Sequence, residues 1–260
     1  MRKFVHLLVS AGLLTAGLGL SNPVVAQDSN AALYVLHGVP GLTVDVYVNG
    51  VRQLDDFTPG TLAGPLSLPA GTYSVALTAS DAVDDSSPVL GPIDLPLAAG
   101  MNYTAAAHLD ATGAPTATLF TNDTAPAAAG EGKLTVRHIA ANAEGVEVRA
   151  NGTISLGTFN NGGQLGPFPL AAATYSATIL AGDVVVPPTP ADVGVTESNN
   201  TIMYAWGDAA DGAVLIASQV VALSRPAVSA TGIPTLGTFG LIGMIMILIG
   251  FAIPSLRRFT

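Results

Sequence analysis

The sequence predicts an all-β protein: two tandem antiparallel β-sandwiches, Ig-like or transthyretin-like, set between two apolar ends. Three observations carry this reading. Apolar and polar residues alternate over several short segments. Asn-Gly, Gly-Pro and Ala-Gly pieces punctuate those segments. The same order of segments occurs twice.

The first unit is placed at residues 31–123. Leu33, Val35 and His37 share one parity, and Val44, Val46 and Val48 alternate with Thr43, Asp45 and Tyr47. Tyr73, Val75 and Leu77 alternate with Thr72, Ser74 and Ala76. A period of two marks a strand with one face buried. Asn49-Gly50 directly follows Val48, a strong hairpin signal because both residues tolerate the positive φ of a type I′ turn. Gly64-Pro65, Pro69-Ala70-Gly71 and Ala98-Ala99-Gly100 read as punctuation between strands.

The second unit, 133–224, answers in order. Leu134, Val136 and His138 match Leu33, Val35 and His37; Asn151-Gly152 matches Asn49-Gly50; Gly166-Pro167 matches Gly64-Pro65; Thr174-Tyr175-Ser176 matches Thr72-Tyr73-Ser74. Tyr204-Ala205 is the weaker partner of Tyr103-Thr104-Ala105, which keeps the offset at 101 or 102 throughout. A period this long means two domains, since solenoid units run about 20–50 residues. Residues 124–132, TAPAAAGEG, read as a linker, and 225–232 as a stalk. No amphipathic helix of useful length is predicted between the two ends.

The segments Leu33-Tyr-Val-Leu-His37, Val44-Asp-Val-Tyr-Val-Asn-Gly50, Leu68-Pro-Ala-Gly-Thr-Tyr73 and Ala99-Gly100-x-x-Tyr103-Thr104 resemble the bacterial extracellular family named domain of unknown function 4397. The likeness covers roughly residues 32–123 and, more faintly, 133–223. It departs after the histidines, where Gly38-Val-Pro-Gly41 and Ile139-Ala-Ala-Asn142 stand in place of an Ala-Ser-Pro-Asp-like turn. The resemblance implies an exported β domain and no particular activity.

The ends predict an address. Arg2 and Lys3, the apolar run Leu7–Leu20 and Val24-Val25-Ala26 make residues 1–26 a signal peptide, cleaved between Ala26 and Gln27. An uncleaved anchor is the alternative. Leu236 to Ile253 carries no charge and approaches the roughly 20 apolar residues that span a hydrocarbon core of about 30 Å. Arg257 and Arg258 place the C-terminus in the cytoplasm by the positive-inside rule. Ile233-Pro234-Thr235-Leu236, then Phe239-Gly240, the span and the Arg pair resemble the IPTL-CTERM sorting signal of Gram-negative bacteria, which would occupy 233–260. Phe239 stands where that signal usually has Trp. The resemblance implies an exosortase-type processing peptidase as a partner; a permanent single-pass anchor is the other reading.

Composition excludes several function classes. The 18 acids all lie between Asp28 and Asp211, opposed there and in the stalk only by Arg52, Lys133, Arg137, Arg149 and Arg225; 18 less five leaves 13 negative charges. Such a surface repels phosphate backbones, so no nucleic-acid partner is expected. With no cysteine there is neither a disulfide framework nor a thiolate. His37 and His138 recur in equivalent places, but their parity with Leu33, Val35, Leu134 and Val136 turns them inward, toward backbone hydrogen bonds. His108 sits in another segment with no histidine companion near it in sequence. Asp55-Asp56, Asp81-x-x-Asp84-Asp85 and Asp208-x-x-Asp211-Gly212 lack calcium-loop spacing. There is no Gly-x-Ser-x-Gly elbow, Ser-x-x-Lys or phosphate-binding Gly-x-x-x-x-Gly-Lys. Trp206 shares parity with Ile202 and Tyr204, which suits core packing.

No catalytic, cofactor or metal site is therefore expected. The expected role is a non-enzymatic envelope or extracellular-matrix protein, structural or adhesive, anchored in the inner membrane or processed outward. Its further partners would be extracellular polysaccharide or other envelope proteins. The alternative is a carbohydrate-binding surface module using Tyr47 and the Pro40-Gly41 loop.

Overall fold

A computed structural model describes residues 29–224 apart from 183, 187 and 188. The expected signal peptide with Ala26 and Gln27, the expected stalk, sorting residues Ile233–Leu236, Phe239 and Gly240 and span, and Arg257 and Arg258 all lie outside the described residues.

The described chain is all strand and connection. The first unit holds β1 (Asn30–Gly38), β2 (Val44–Val48), β3 (Val51–Phe57), β4 (Leu62–Pro69), β5 (Gly71–Ala79), β6 (Leu90–Leu97), β7 (Asn102–Leu109) and β8 (Pro115–Thr121). The second holds β9 (Glu131–Ala141), β10 (Val146–Ala150), β11 (Ile154–Phe159), β12 (Gly163–Ala171) and β13 (Ala173–Ala181). It continues with β14 (Val184–Val185), β15 (Ala191–Val195), β16 (Asn199–Asp208) and β17 (Ala213–Ala222). Among the described residues no helix is long and apolar enough to cross a membrane.

Four sheets form. β4-β1-β7-β8 faces β3-β2-β5-β6, joined by Leu33, Leu95, Leu97, Tyr103 and Ala105. β12-β9-β16-β17 faces β11-β10-β13 with β14 and β15, joined by Leu134, Val136, Val148, Ile179 and Met203. Most neighbours are antiparallel. β1 with β7 and β9 with β16 are parallel, a long-range pairing that local periodicity does not reveal.

The hairpin signal holds. Asn49 and Gly50 have φ of 50° and 77°, and Asn151 and Gly152 have 50° and 72°. Each asparagine also accepts, through Oδ1, the amide of the neighbouring strand: Ser74 at 2.9 Å and Ser176 at 3.1 Å. The Gly-Pro pairs behave differently from the punctuation expected. Gly64-Pro65 lies inside the edge strand β4 and Gly166-Pro167 inside the edge strand β12, each where the register to the next strand slips. A proline cannot donate to a ladder, and a bulge twists an exposed edge away from pairing with another chain. The glycine is required: at Gly166 φ is +90° and a Cβ would come within 2.6 Å of the Leu134 carbonyl oxygen. Gly166→Ala is expected to lower stability by about 2–4 kcal/mol. Urea unfolding followed by Trp206 fluorescence checks it, and an unchanged midpoint refutes it.

The repeat register also needs correction. β1 pairs Leu33 with Tyr103, while β9 pairs Leu134 with Thr201. The structural partner of Tyr103 is therefore Thr201, not Tyr204, and the offset drops from 101 to 98. The cause lies upstream. Tyr73 pairs with Leu95 and Tyr175 with Val193, so the second unit is already four residues shorter between its fifth and sixth equivalent strands.

Candidate functional site

Three places could do chemistry: the buried histidines, the junction between the units, and a cavity in the first sandwich.

His37 is 0 % exposed and His138 1 %. The inward parity holds, and both rings are held alike. His37 Nε2–H donates to the Leu42 carbonyl at 2.6 Å, with the Val39 amide 3.5 Å from Nδ1. His138 Nε2–H donates to the Ala143 carbonyl, with the Ala140 amide 3.4 Å from Nδ1. Phe57 stacks on the first ring at 5.7 Å, and Phe159 meets the second edge-on at 5.6 Å. Burial pushes both imidazoles below 6.5, against the upward pull of those carbonyls. Both ring nitrogens are committed, which leaves none for a substrate or metal. His108 donates to the Leu109 carbonyl at 2.7 Å and shares a 2.9 Å hydrogen bond with Thr118. It is not isolated: the fold brings it near enough to His138 to add a small downward push to the larger one from burial.

The acid clusters are bound to their own surroundings. Asp110 caps Thr112 and Ala114, Asp84 caps Ser86, and Asp208 takes Asn142 and Ala210. Asp55 pairs with Arg52 at 2.8 Å. Arg52 also reaches the buried Asp45 at 2.9 Å, which accepts the Asp56 amide as well. Burial pushes the Asp45 carboxyl up, but the amide and the guanidinium outweigh it and hold it below its ordinary range. Among the described residues no three His, Asp or Glu side chains gather as a metal site. Tyr47 is only 7 % exposed. It sits on a central strand between Arg52 and Ala76, so the sugar-stacking surface expected of it is absent.

The junction was not foreseen. The outer faces of β1, β7 and β8 pack against those of β9, β16 and β17 through Leu36, Ala106, Phe120, Ile139, Ile202 and Trp206. Arg137 lies fully buried there. It donates to the Tyr204 hydroxyl at 2.7 Å, the Thr121 carbonyl at 3.2 Å and Gln164 at 3.2 Å, and its guanidinium lies 4.4 Å from the Phe120 ring centre. Tyr204 donates to Gln219 Oε1 at 2.6 Å, and Thr104 of the first unit donates to the same oxygen at 3.0 Å. The connection after Thr121 is pinned as well. Lys133 holds Asp123 and the Ala125 carbonyl, and Glu197 accepts the Gly130 amide. β9 begins at Glu131, inside the segment read as linker.

The cavity lies between the two sheets of the first sandwich and holds about 330 Å³. Its walls are Leu, Val, Ile and Ala with Tyr73, whose hydroxyl donates to the Pro69 carbonyl at 2.8 Å, and Asn49 and Gln53 are exposed polar side chains at the rim.

The family described as "Domain of unknown function (DUF4397)" matches residues 31–149. A DUF4397 domain is therefore present there. The match runs through the first sandwich, the connection and β9 into β10. No curated protein matches the chain.

Proposed function

We propose that this is an exported, non-catalytic envelope or extracellular-matrix protein with a structural or adhesive role. In this reading residues 133–224 are a second domain of the same kind, and the chain is delivered by a cleavable signal and held by a C-terminal span. An exosortase-type peptidase acts at the Ile233–Leu236 motif.

One observation supports it above others. The His37 and His138 rings and the Arg137 guanidinium are held by internal hydrogen bonds, and the two sandwiches stack face to face into four layers. The Gly-Pro bulges protect the edges of such a stack from unplanned strand pairing. The acidic surface suits a protein that stays dispersed outside the cytosol.

The test is fractionation of the full chain in a Gram-negative host with an exosortase-type peptidase. The expected product begins at Gln27, sits in the envelope and is digested by protease added to spheroplasts. Alanines at Ile233–Leu236 should block tail processing. Recovery of the intact chain from the soluble cytoplasm overturns the proposal.

A further inference from the structure

The two sandwiches share strand order, yet their interiors differ. The second has one continuous apolar cluster running from Leu134 and Val136 to Met203 and Val214. The first has two separate clusters, with Val35 and Val75 bordering both and the 330 Å³ cavity between the sheets. Strand register identifies the cause. Val35 pairs with Ala105 where Val136 pairs with Met203. Ala107 pairs with Ala117 where Ala205 pairs with Ile216. Val35 also pairs with Ala63 where Val136 pairs with Leu165. Three alanines thus stand where the second unit has Met, Ile and Leu, all three of which pack into its core.

The edge differs in the same sense. In the second unit β11 packs on β12, with Leu165 against Gly157. The equivalent edges of the first unit, β3 and β4, barely meet. The cavity reaches that edge: Val51 and Gln53 of β3 and Leu66 and Leu68 of β4 line it, and Val51 is 58 % exposed. An apolar space with a side opening and one or two amides at the rim has the make-up of a ligand pocket. Its volume is about twice the ~150 Å³ that accepts benzene and falls at the low end of the ~300–1,000 Å³ usual for ligand pockets.

We propose that the first sandwich binds one alkyl or acyl chain of medium length that ends in an uncharged polar group. The walls select the chain, because no charged side chain lines them. The rim selects the end. Gln53 offers its amide and Asn49 its NH2 group, the Asn49 Oδ1 being held by the Ser74 amide, whereas the adjacent cation, Arg52, is engaged by Asp45 and Asp55. A carboxylate would find amide N–H donors but no cation lining the cavity to balance its charge, and it would face an acidic surface. This inference does not rest on the export reading.

The probe is 1-decanol, added to the full chain in amphipol with uncharged 1-aminoanthracene as the displaced fluorophore. Saturable displacement at one site per chain is expected. Ala105→Met with Ala117→Ile, which copies the second unit, should weaken it at least tenfold, the same amphipol serving as background. Decanoate at pH 8 should bind at least tenfold more weakly than decanol. Methyl NMR of the unaltered protein covers a variant that fails to fold: decanol should shift Leu66, Val75 and Leu95 and leave Val148 and Ile179 in place. Equal displacement from both proteins, methyl signals that do not move, or decanoate binding as well as decanol overturns the proposal.

Discussion

Acidification from pH 7 to pH 5.5 is expected to lower the folding free energy before any carboxylate titrates. His37, His108 and His138 are all sealed from solvent. For each, burial is the largest influence, and it sets the imidazole below the ordinary 6.5. Above 6.5 the rings are neutral in both folded and unfolded chains, and stability does not depend on them. Below 6.5 the unfolded chain takes up protons that the folded chain refuses. Stability then falls by about 1.4 kcal/mol per pH unit for each histidine until the folded value is reached, or about 4 kcal/mol per unit for three together. The depressed carboxyls act in the same direction, but lower. Asp45, Asp84, Asp110 and Glu147 lose their contribution only as pH falls below ordinary carboxylate values of 3.8 to 4.5. The two windows are separable. Urea midpoints read through Trp206 at pH 7.0 and 5.5 measure the first, and His37→Gln with His138→Gln should shrink it to the part that His108 carries. Equal midpoints at the two pH values would show that the rings protonate without cost.

The strands and hairpins were legible because their signals are local. The alternation in sequence located β2 and β5 correctly, although burial does not alternate along either strand, and Asn-Gly fixes both turns before any tertiary contact is known. The inward parity of His37 and His138 was legible for the same reason. What failed was everything decided by a second buried face. Thr135, Arg137 and Ile139 occupy the positions that alternation assigns to solvent, and a second sandwich covers them. Tyr47 looked exposed by the same rule and is hidden by its neighbours on β3 and β5. The Gly-Pro pairs read as turns because sequence does not distinguish a bulge inside an edge strand from a break between strands. The cavity was hidden by register. Matching Tyr103 to Tyr204 sets Ala105 beside Trp206, whereas pairing across β9 and β16 sets it beside Met203. Only the second alignment shows side-chain volume missing from the first unit.

Arg137→Ala is expected to destabilise the protein by about 3–5 kcal/mol, and Arg137→Met by less than half as much. Arg137 occupies the place that Leu36 holds in the first unit, since β1 pairs Leu36 with Ala106 and β9 pairs Arg137 with Tyr204. No carboxylate lies within ion-pair distance of it among the described residues, and burial holds its guanidinium below its ordinary range. It is compensated by a hydroxyl, a carbonyl, an amide oxygen and an aromatic face. A buried cation so arranged costs much of what its bonds return. Alanine removes the bonds and the packing of the stem against Phe120 and Tyr204. Methionine removes the bonds and the desolvation cost but keeps most of the stem. Lysine should fare worse than methionine, because a compact, strongly hydrated ammonium cannot reach Tyr204, Thr121 and Gln164 together. Urea unfolding of the three variants orders them as methionine, lysine, alanine from mildest to most severe. If methionine proves as damaging as alanine, the guanidinium contributes a net attraction that burial does not cancel, and the junction is held by its charge rather than by its volume.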